Sequence, residues 1–152
     1  MPAKKLQVEA IQHGSVIDHI PAQQGIKILK FFQLTQTNEK ITVGLNLATH
    51  NGNSKDLIKV ENTFISEQQA NQLALFAPNA TINQIKDFQV VNKYQVQLPH
   101  YFIDVLACPN SNCISRNEPV STRFYVNNKQ VLKLKCHYCE KAFDASFFQE
   151  LD

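Results

Sequence analysis

Glycine is scarce in this chain, four in 152 residues, which leaves little material for a loop that cradles phosphate through its backbone. No Walker loop, dinucleotide fingerprint, nucleophile elbow or zincin motif occurs, so the enzyme classes built on those devices are excluded. Long apolar runs are missing too: nothing approaches the roughly 20 residues of a membrane-spanning helix. No apolar signal core follows the charged residues at the N-terminus, and a reducing, cytoplasmic setting is therefore expected. Excess charge is also lacking, with 15 Lys+Arg against 13 Asp+Glu and a formal net charge of +2. Neither half is basic enough to suggest nonspecific binding to nucleic acid. Low-complexity tracts and internal repeats are absent.

What is present is a soluble, core-forming composition, 43% hydrophobic and 18% charged, long enough for one ordinary domain or two small ones. The cysteines favour two. All four lie in the last third, as Cys108-x4-Cys113 and Cys136-x2-Cys139. Two short-spaced pairs are what two tight turns need to present four thiolates to one tetrahedral cation, and Zn²⁺ is the usual occupant. Disulfides would require an oxidising compartment. A redox Cys-x-x-Cys lacks a strand-helix setting of thioredoxin type. Iron suits the same four sulfurs, but no electron-transfer motif accompanies them, which favours zinc. Four thiolates close the coordination shell, so the metal has no open position for water or substrate and its role is structural. His137, inside the second pair, is expected on the knuckle surface. Counting four thiolates and one divalent cation, the C-terminal piece carries about −2, unfavourable for a phosphate backbone.

The first hundred residues alternate strand and helix signals. Leu6–Ala10 alternates with period two until Gly14, and Val16–Ile20 is extended again. Pro21 suits a first helical position, with Ile26, Leu29 and Phe32 on one face of a helix reaching Leu34. Ile41, Val43, Leu45 and Leu47 mark a half-buried strand, Asn51-Gly52 a turn, and Asp56–Thr63 the returning strand. Ser66 and Gln69 form a capping box ahead of Ala70, Leu73, Ala74 and Ala77, and Pro78 stops that helix. Strands follow at Thr81–Ile85 and Phe88–Val91, interrupted near Asp87.

This order is that of a ferredoxin-like α+β sandwich, an antiparallel sheet with two helices on one face. Its other face must find solvent, a ligand or a second copy. The pattern lapses between Asn92 and Tyr101, which sets domains of residues 1–98 and 99–152. In the second, Thr122–Asn127 and Val131–Lys135 predict a hairpin turning through Asn127-Asn128, in a small all-β, zinc-ribbon or rubredoxin-like domain. Phe102, Val105, Phe124, Val131, Leu132, Leu134, Phe143 and Phe147 are its apolar stock, a core small enough to need metal to fold. Asp18-His19 could begin a general-base relay, but strand neighbours point to opposite faces. Lys55, Lys59 and Lys93 read, by themselves, as solvated lysines.

The blocks Leu6–Ile11, Val16–Ala22, Ile41–Leu47, Lys55–Phe64 and Cys108–Ser115 strongly resemble the regulatory chain of aspartate carbamoyltransferase, in one order across nearly the whole sequence. Together with the two cysteine pairs they are very specific. The resemblance implies a non-catalytic subunit with a nucleotide-binding allosteric domain and a zinc domain that grips the catalytic chain. In that family three regulatory dimers hold two catalytic trimers together, CTP inhibits, ATP activates, and UTP acts alongside CTP in some members.

By the same resemblance, Glu9, Ile11 and Val16 line the effector pocket, Ile11 reading the base largely through its main chain. Asp18 lies near the ribose, and His19 faces the phosphates. Lys59 and Lys93 supply cationic contacts; Thr81, Asn83, Ile85 and Val90 complete the wall, and Lys5 contributes near the phosphates. The metal ligands are Cys108, Cys113, Cys136 and Cys139, and Asn110, Asn112 and Glu140 face the catalytic chain. Phe88 stands where the family commonly has tyrosine, Met1–Lys4 departs from the pattern, and the tip Asn127–Gln130 is less basic. Two rival readings from other classes are a zinc-ribbon nucleic-acid adaptor and a small enzyme using Asp18 and His19.

Overall fold

A computed structural model describes residues 10–128 and 130–149. The chain divides into two compact units, the first ending at Gln97 and the second starting at Leu98.

In the first unit, β1 (Gly14–Pro21), α1 (Gly25–Phe31), β2 (Ile41–Ala48), β3 (Ser54–Glu61), α2 (Glu67–Asn71) and β4 (Thr81–Lys86) follow one another in the ferredoxin-like order, and β5 (Gln89–Gln95) is added at the end. The sheet is antiparallel throughout, ordered β2-β3-β1-β4-β5. Register explains its two faces. Val43, Ile58, Ile17, Ile82 and Tyr94 are successive cross-strand partners, and Ile17, Ile58 and Ile82 are fully buried with Ile28 of α1 and Leu73, Phe76 and Ala77 beyond α2. One residue along each strand the side chains point the other way. The row on that second face is Thr42, Lys59, Val16, Asn83 and Lys93.

The capping box forms as expected: the Ser66 hydroxyl accepts from the Gln69 N–H at 3.1 Å, and the Gln69 side chain accepts from the Ser66 N–H at 2.9 Å. α2 then tightens into a 3₁₀ turn over Gln72–Leu75, and Ala70, Leu73, Ala74 and Ala77 are all buried.

Other expectations need correction. The strand placed at Leu6–Ala10 lies outside the described residues except for Ala10, which is exposed and irregular; the segment after it supplies β1. Gly14 opens that strand at φ 142°, where a Cβ would stand 2.1 Å from the Val60 carbonyl. Pro21 closes β1 and does not open the helix, which begins at Gly25. α1 stops early because Gln33 turns left-handed (φ 53°). The Leu34 N–H then reaches Leu29 O (3.1 Å) and the Gln33 N–H reaches Lys30 O (3.3 Å), a Schellman end that satisfies carbonyls of the last turn. Its buried face is Ile28 and Leu29, whereas Ile26 is 54% exposed.

In β2 the alternation fails at a bulge between Gly44 and Leu47, where Asn46 has φ 57°; Leu45 consequently faces solvent. β3 runs from Ser54 to Glu61, two residues ahead of the expected span at both ends. The break near Asp87 is a two-residue turn with Asp87 and Phe88 both left-handed (φ 51° and 66°), the geometry that matches strand twist in tight hairpins. β5 continues to Gln95, through part of what reads as a connection.

The second unit is a four-stranded antiparallel sheet, β6 (Tyr101–Ile103), β7 (Arg123–Asn128), β8 (Lys133–Cys136) and β9 (Ala142–Asp144), with single-turn α3 (Ile114–Asn117) and α4 (Ala145–Gln149). β6 and β9 escaped the sequence reading because three residues carry no periodicity. The hairpin is β7–β8, but β7 runs through Asn128, so its turn lies beyond Asn127-Asn128. Phe102, Phe124 and Leu134 are fully buried, with Leu106 and Phe148 beside them. Phe124 and Phe148 meet edge to face at 5.1 Å between centroids. Val131 and Phe147, expected in this core, are about half exposed (56% and 48%); α4 turns Phe148 inward instead.

Candidate functional site

Two constellations stand out, one in each unit. In the second unit the loop after β6 carries Cys108, Cys113 sits just before α3, Cys136 ends β8, and Cys139 lies in the turn leading to β9. All four sulfurs lie within 4.8 Å of one another, none is in a disulfide, and Cys108–Cys139 and Cys113–Cys136 are 3.8 and 3.7 Å apart. A tetrahedron with metal–sulfur arms of ~2.3 Å has edges of about 3.75 Å, so the spacing fits a divalent cation bound by four thiolates. When bound, such a cation cross-links the two knuckles; with its shell filled it offers no Lewis-acid position.

The sulfurs differ in their surroundings. Burial disfavours the Cys113 thiolate, but hydrogen bonds from the Ser115 hydroxyl (3.1 Å) and its N–H, together with those from the Cys136 and Cys108 thiols, outweigh burial and bring the thiol down to about 7. Burial, reinforced by neighbouring thiols, pushes Cys108 up. Metal loading must therefore expel protons that the empty cluster retains. His137 stays outside the cluster; it is exposed, its Nδ1 is 2.9 Å from the Tyr125 hydroxyl, and its ring packs edge-on to Tyr138. Asn112 and Glu140 are exposed beside the knuckles, and half-buried Asn110 accepts the Asn112 N–H at 3.1 Å.

In the first unit the sheet face opposite the helices collects most of the residues named above. Lys59 and Lys93 lie in one cross-strand row with Val16 and Asn83 between them, three strand spacings apart, or about 14 Å. Asp18 pairs with Thr81, and Ile85 with Val90, on the same face. Asn83 Oδ1 is buried without a hydrogen-bond partner among the described residues. Ile85 and Ile11 are buried, while Val90 is 55% exposed. Glu9 and Lys5 lie outside the described residues.

The objection that Asp18 and His19 must point apart does not hold in this fold. A bulge between Ile17 and Ile20 inserts one residue in β1 against β3, and His19 takes φ 58°. Bulges re-aim side chains in this way. The His19 N–H donates to Asp18 Oδ1 at 2.7 Å, and His19 Nδ1 lies 2.9 Å from the Thr81 hydroxyl, so both neighbours reach one site.

Two of the three lysines are also not simply solvated, whereas Lys93 is exposed as expected. Lys59 is 7% exposed, and Lys55 Nζ is 2.8 Å from Asp18 Oδ1. Sequence reasoning missed that partnership because the bulge that permits it leaves no composition signal. Burial works against the Asp18 charge, but hydrogen bonds from Lys55 and the His19 N–H, with the Lys55 and His19 charges, hold its carboxyl below its usual value of 3.8. Its stabilising contribution is therefore present above the unfolded carboxyl range and lost as pH falls through the lower folded value. Denaturant midpoints from pH 7 to 3 are expected to drop less steeply at the acid end for Asp18→Asn than for the wild type; parallel curves would remove this role.

The chain matches two family models end to end: the allosteric domain of the aspartate carbamoyltransferase regulatory chain over residues 6–97 and the metal binding domain of the same chain over residues 101–148. Similar proteins include the aspartate carbamoyltransferase regulatory chains of Psychromonas ingrahamii, 81% identical over 98% of this chain and 99% of the relative, and of Aeromonas hydrophila, 61% identical over 96% of each. That of Vibrio vulnificus is 54% identical over 96% of each. No helix among the described residues is long and apolar enough to cross a membrane. With two family models matched in tandem and four clustered sulfurs in the metal-binding part, the chain belongs to the aspartate carbamoyltransferase regulatory chain family, an allosteric domain followed by a metal-binding domain.

Proposed function

We propose that this chain is the non-catalytic allosteric subunit of a cytoplasmic aspartate carbamoyltransferase serving pyrimidine biosynthesis. Residues 1–98 bind CTP, with UTP, as inhibitor and ATP as activator; residues 99–152 hold one structural Zn²⁺ and grip the catalytic chain. Homodimers of the chain link catalytic trimers. The observation that carries the nucleotide site is the cross-strand row of Lys59, Val16, Asn83 and Lys93, flanked by Asp18, His19 and Thr81.

The chemistry follows from that layout. A triphosphate gains charge-assisted hydrogen bonds from Lys59 and Lys93, with His19 on the phosphate side. Asp18, accepting from the His19 N–H and paired with Lys55, retains lone pairs for ribose hydroxyls. The unmet Asn83 carbonyl is an acceptor for a ligand N–H or O–H. Ile11, with its side chain buried, holds its backbone steady against the base, where main-chain groups tell an amino from a keto edge. Glu9 completes the pocket by family resemblance. Val16, Ile85 and Val90 give it apolar walls.

Regulation requires two arrangements of the assembly with unequal affinity for CTP and ATP. The zinc shell of Cys108, Cys113, Cys136 and Cys139 holds Asn110, Asn112 and Glu140 in position for the partner. The nucleic-acid adaptor reading has no observation in its favour at a formal charge of +2. Calorimetry on the isolated chain is expected to show CTP binding without nucleotide turnover, and addition of the chain to catalytic trimers to make their activity CTP-sensitive. Absence of CTP binding would end this reading.

A further inference from the structure

The two knuckles are held by different means. The second is built into the sheet: Cys136 is the last residue of β8, its N–H donates to Lys141 O at 3.0 Å, and its carbonyl accepts the Glu140 N–H at 3.0 Å. The first spans a wider Cys-x4-Cys gap and follows β6 at a distance of several residues, so no strand pairing fixes it. Consecutive side chains of α3 fold back on it instead. Ser115 Oγ lies 3.1 Å from Cys113 Sγ, Arg116 Nη1 donates to Cys108 O at 3.0 Å, and Asn117 Nδ2 donates to Cys113 O at 3.2 Å.

We propose that α3 is a latch on the first knuckle, in which Ser115 and Arg116 are positioning residues that set how tightly and how long the cation is held. The hydroxyl donates to a sulfur that carries negative charge in the loaded site, and the guanidinium brings a positive charge to the backbone beside another ligand. Partners of this kind orient ligands, and their loss typically costs about 10–100-fold in metal affinity. Both knuckles close on internal hydrogen bonds, the first through the Cys113 N–H donating to Asn110 O at 3.0 Å, but only the second is also held by a strand, so the contacts from α3 are the further tie on the wider loop. This inference rests on the metal reading of the cluster.

The test uses the full chain, loaded with zinc for transfer to a coloured chelator and with cobalt(II) for its thiolate charge-transfer band. Metal content of the wild type comes first: a metal-free wild type would overturn the metal reading itself. With metal present, Ser115→Ala and Arg116→Gln are each expected to release zinc at least about 10-fold faster and Ser115→Ala to shift the cobalt band. Ser115→Thr, which keeps the hydroxyl, should restore both. Ser111→Ala, on the exposed side of the same loop, should leave release unchanged. Arg116 is exposed, so its substitution is compatible with folding and carries the test even where Ser115→Ala does not fold. Wild-type release from both Ser115→Ala and Arg116→Gln, or from Arg116→Gln alone where Ser115→Ala does not fold, would overturn the latch, as would Ser115→Thr behaving like Ser115→Ala.

Discussion

Replacing Lys59 and Lys93 together by alanine is expected to weaken CTP binding by about 100-fold or more while the chain keeps its fold and its metal. Each lysine makes a charge-assisted contact to an anionic ligand, worth about 1.5–3 kcal/mol, and both lie in the same row, so one ligand uses both. The single changes should not add, because a ligand released at one end can shift toward the other. Lys59 should matter more. It is 7% exposed, and charge pairs shielded from water are screened less than exposed ones. Lys93 is exposed on the edge strand, so its contribution should shrink with added salt. Titration of the three variants at two ionic strengths checks both statements; an unaltered CTP affinity in the double variant would remove the sheet face as the nucleotide site.

Stripping the metal is expected to have the largest effect, and a divided one. Structural zinc contributes on the order of 10 kcal/mol to small domains that fold around it, far more than the three-residue strands β6 and β9 and a handful of buried aromatics supply. Chelation, or Cys136→Ser, should therefore unfold the second unit and abolish binding to the catalytic chain. The first unit has its own core in Ile17, Ile58, Ile82 and Phe76 and should still bind CTP. Hydrogen exchange with and without chelator would show whether protection is lost beyond Leu98 and kept before Gln97. A metal-stripped chain that holds its partner as firmly as the loaded one would refute the docking role.

How far a feature could be read in advance depended on how locally it is determined. The Ser66–Gln69 capping box was legible because its two hydrogen bonds join residues three apart. The helix at Ile26 was misplaced because its ends are set by Pro21 remaining in β1 and by Gln33 entering a left-handed conformation that glycine, not glutamine, would announce. Asn46 and His19 are bulge residues for which no neighbour in sequence gives notice.

The same distinction separates the two sites. Four cysteines in two short-spaced pairs pointed by themselves to a cation site in the last third of the chain, because a turn of a few residues gathers each pair; bringing Cys108 to Cys139 and Cys113 to Cys136 is the work of the second sheet. Only the tertiary structure decided that Lys59, Val16, Asn83 and Lys93 share a row, that Lys55 pairs with Asp18, and that His19 reaches Thr81. Those relations cross between strands far apart in the chain, and a single inserted residue in β1 changes which side chains share a face.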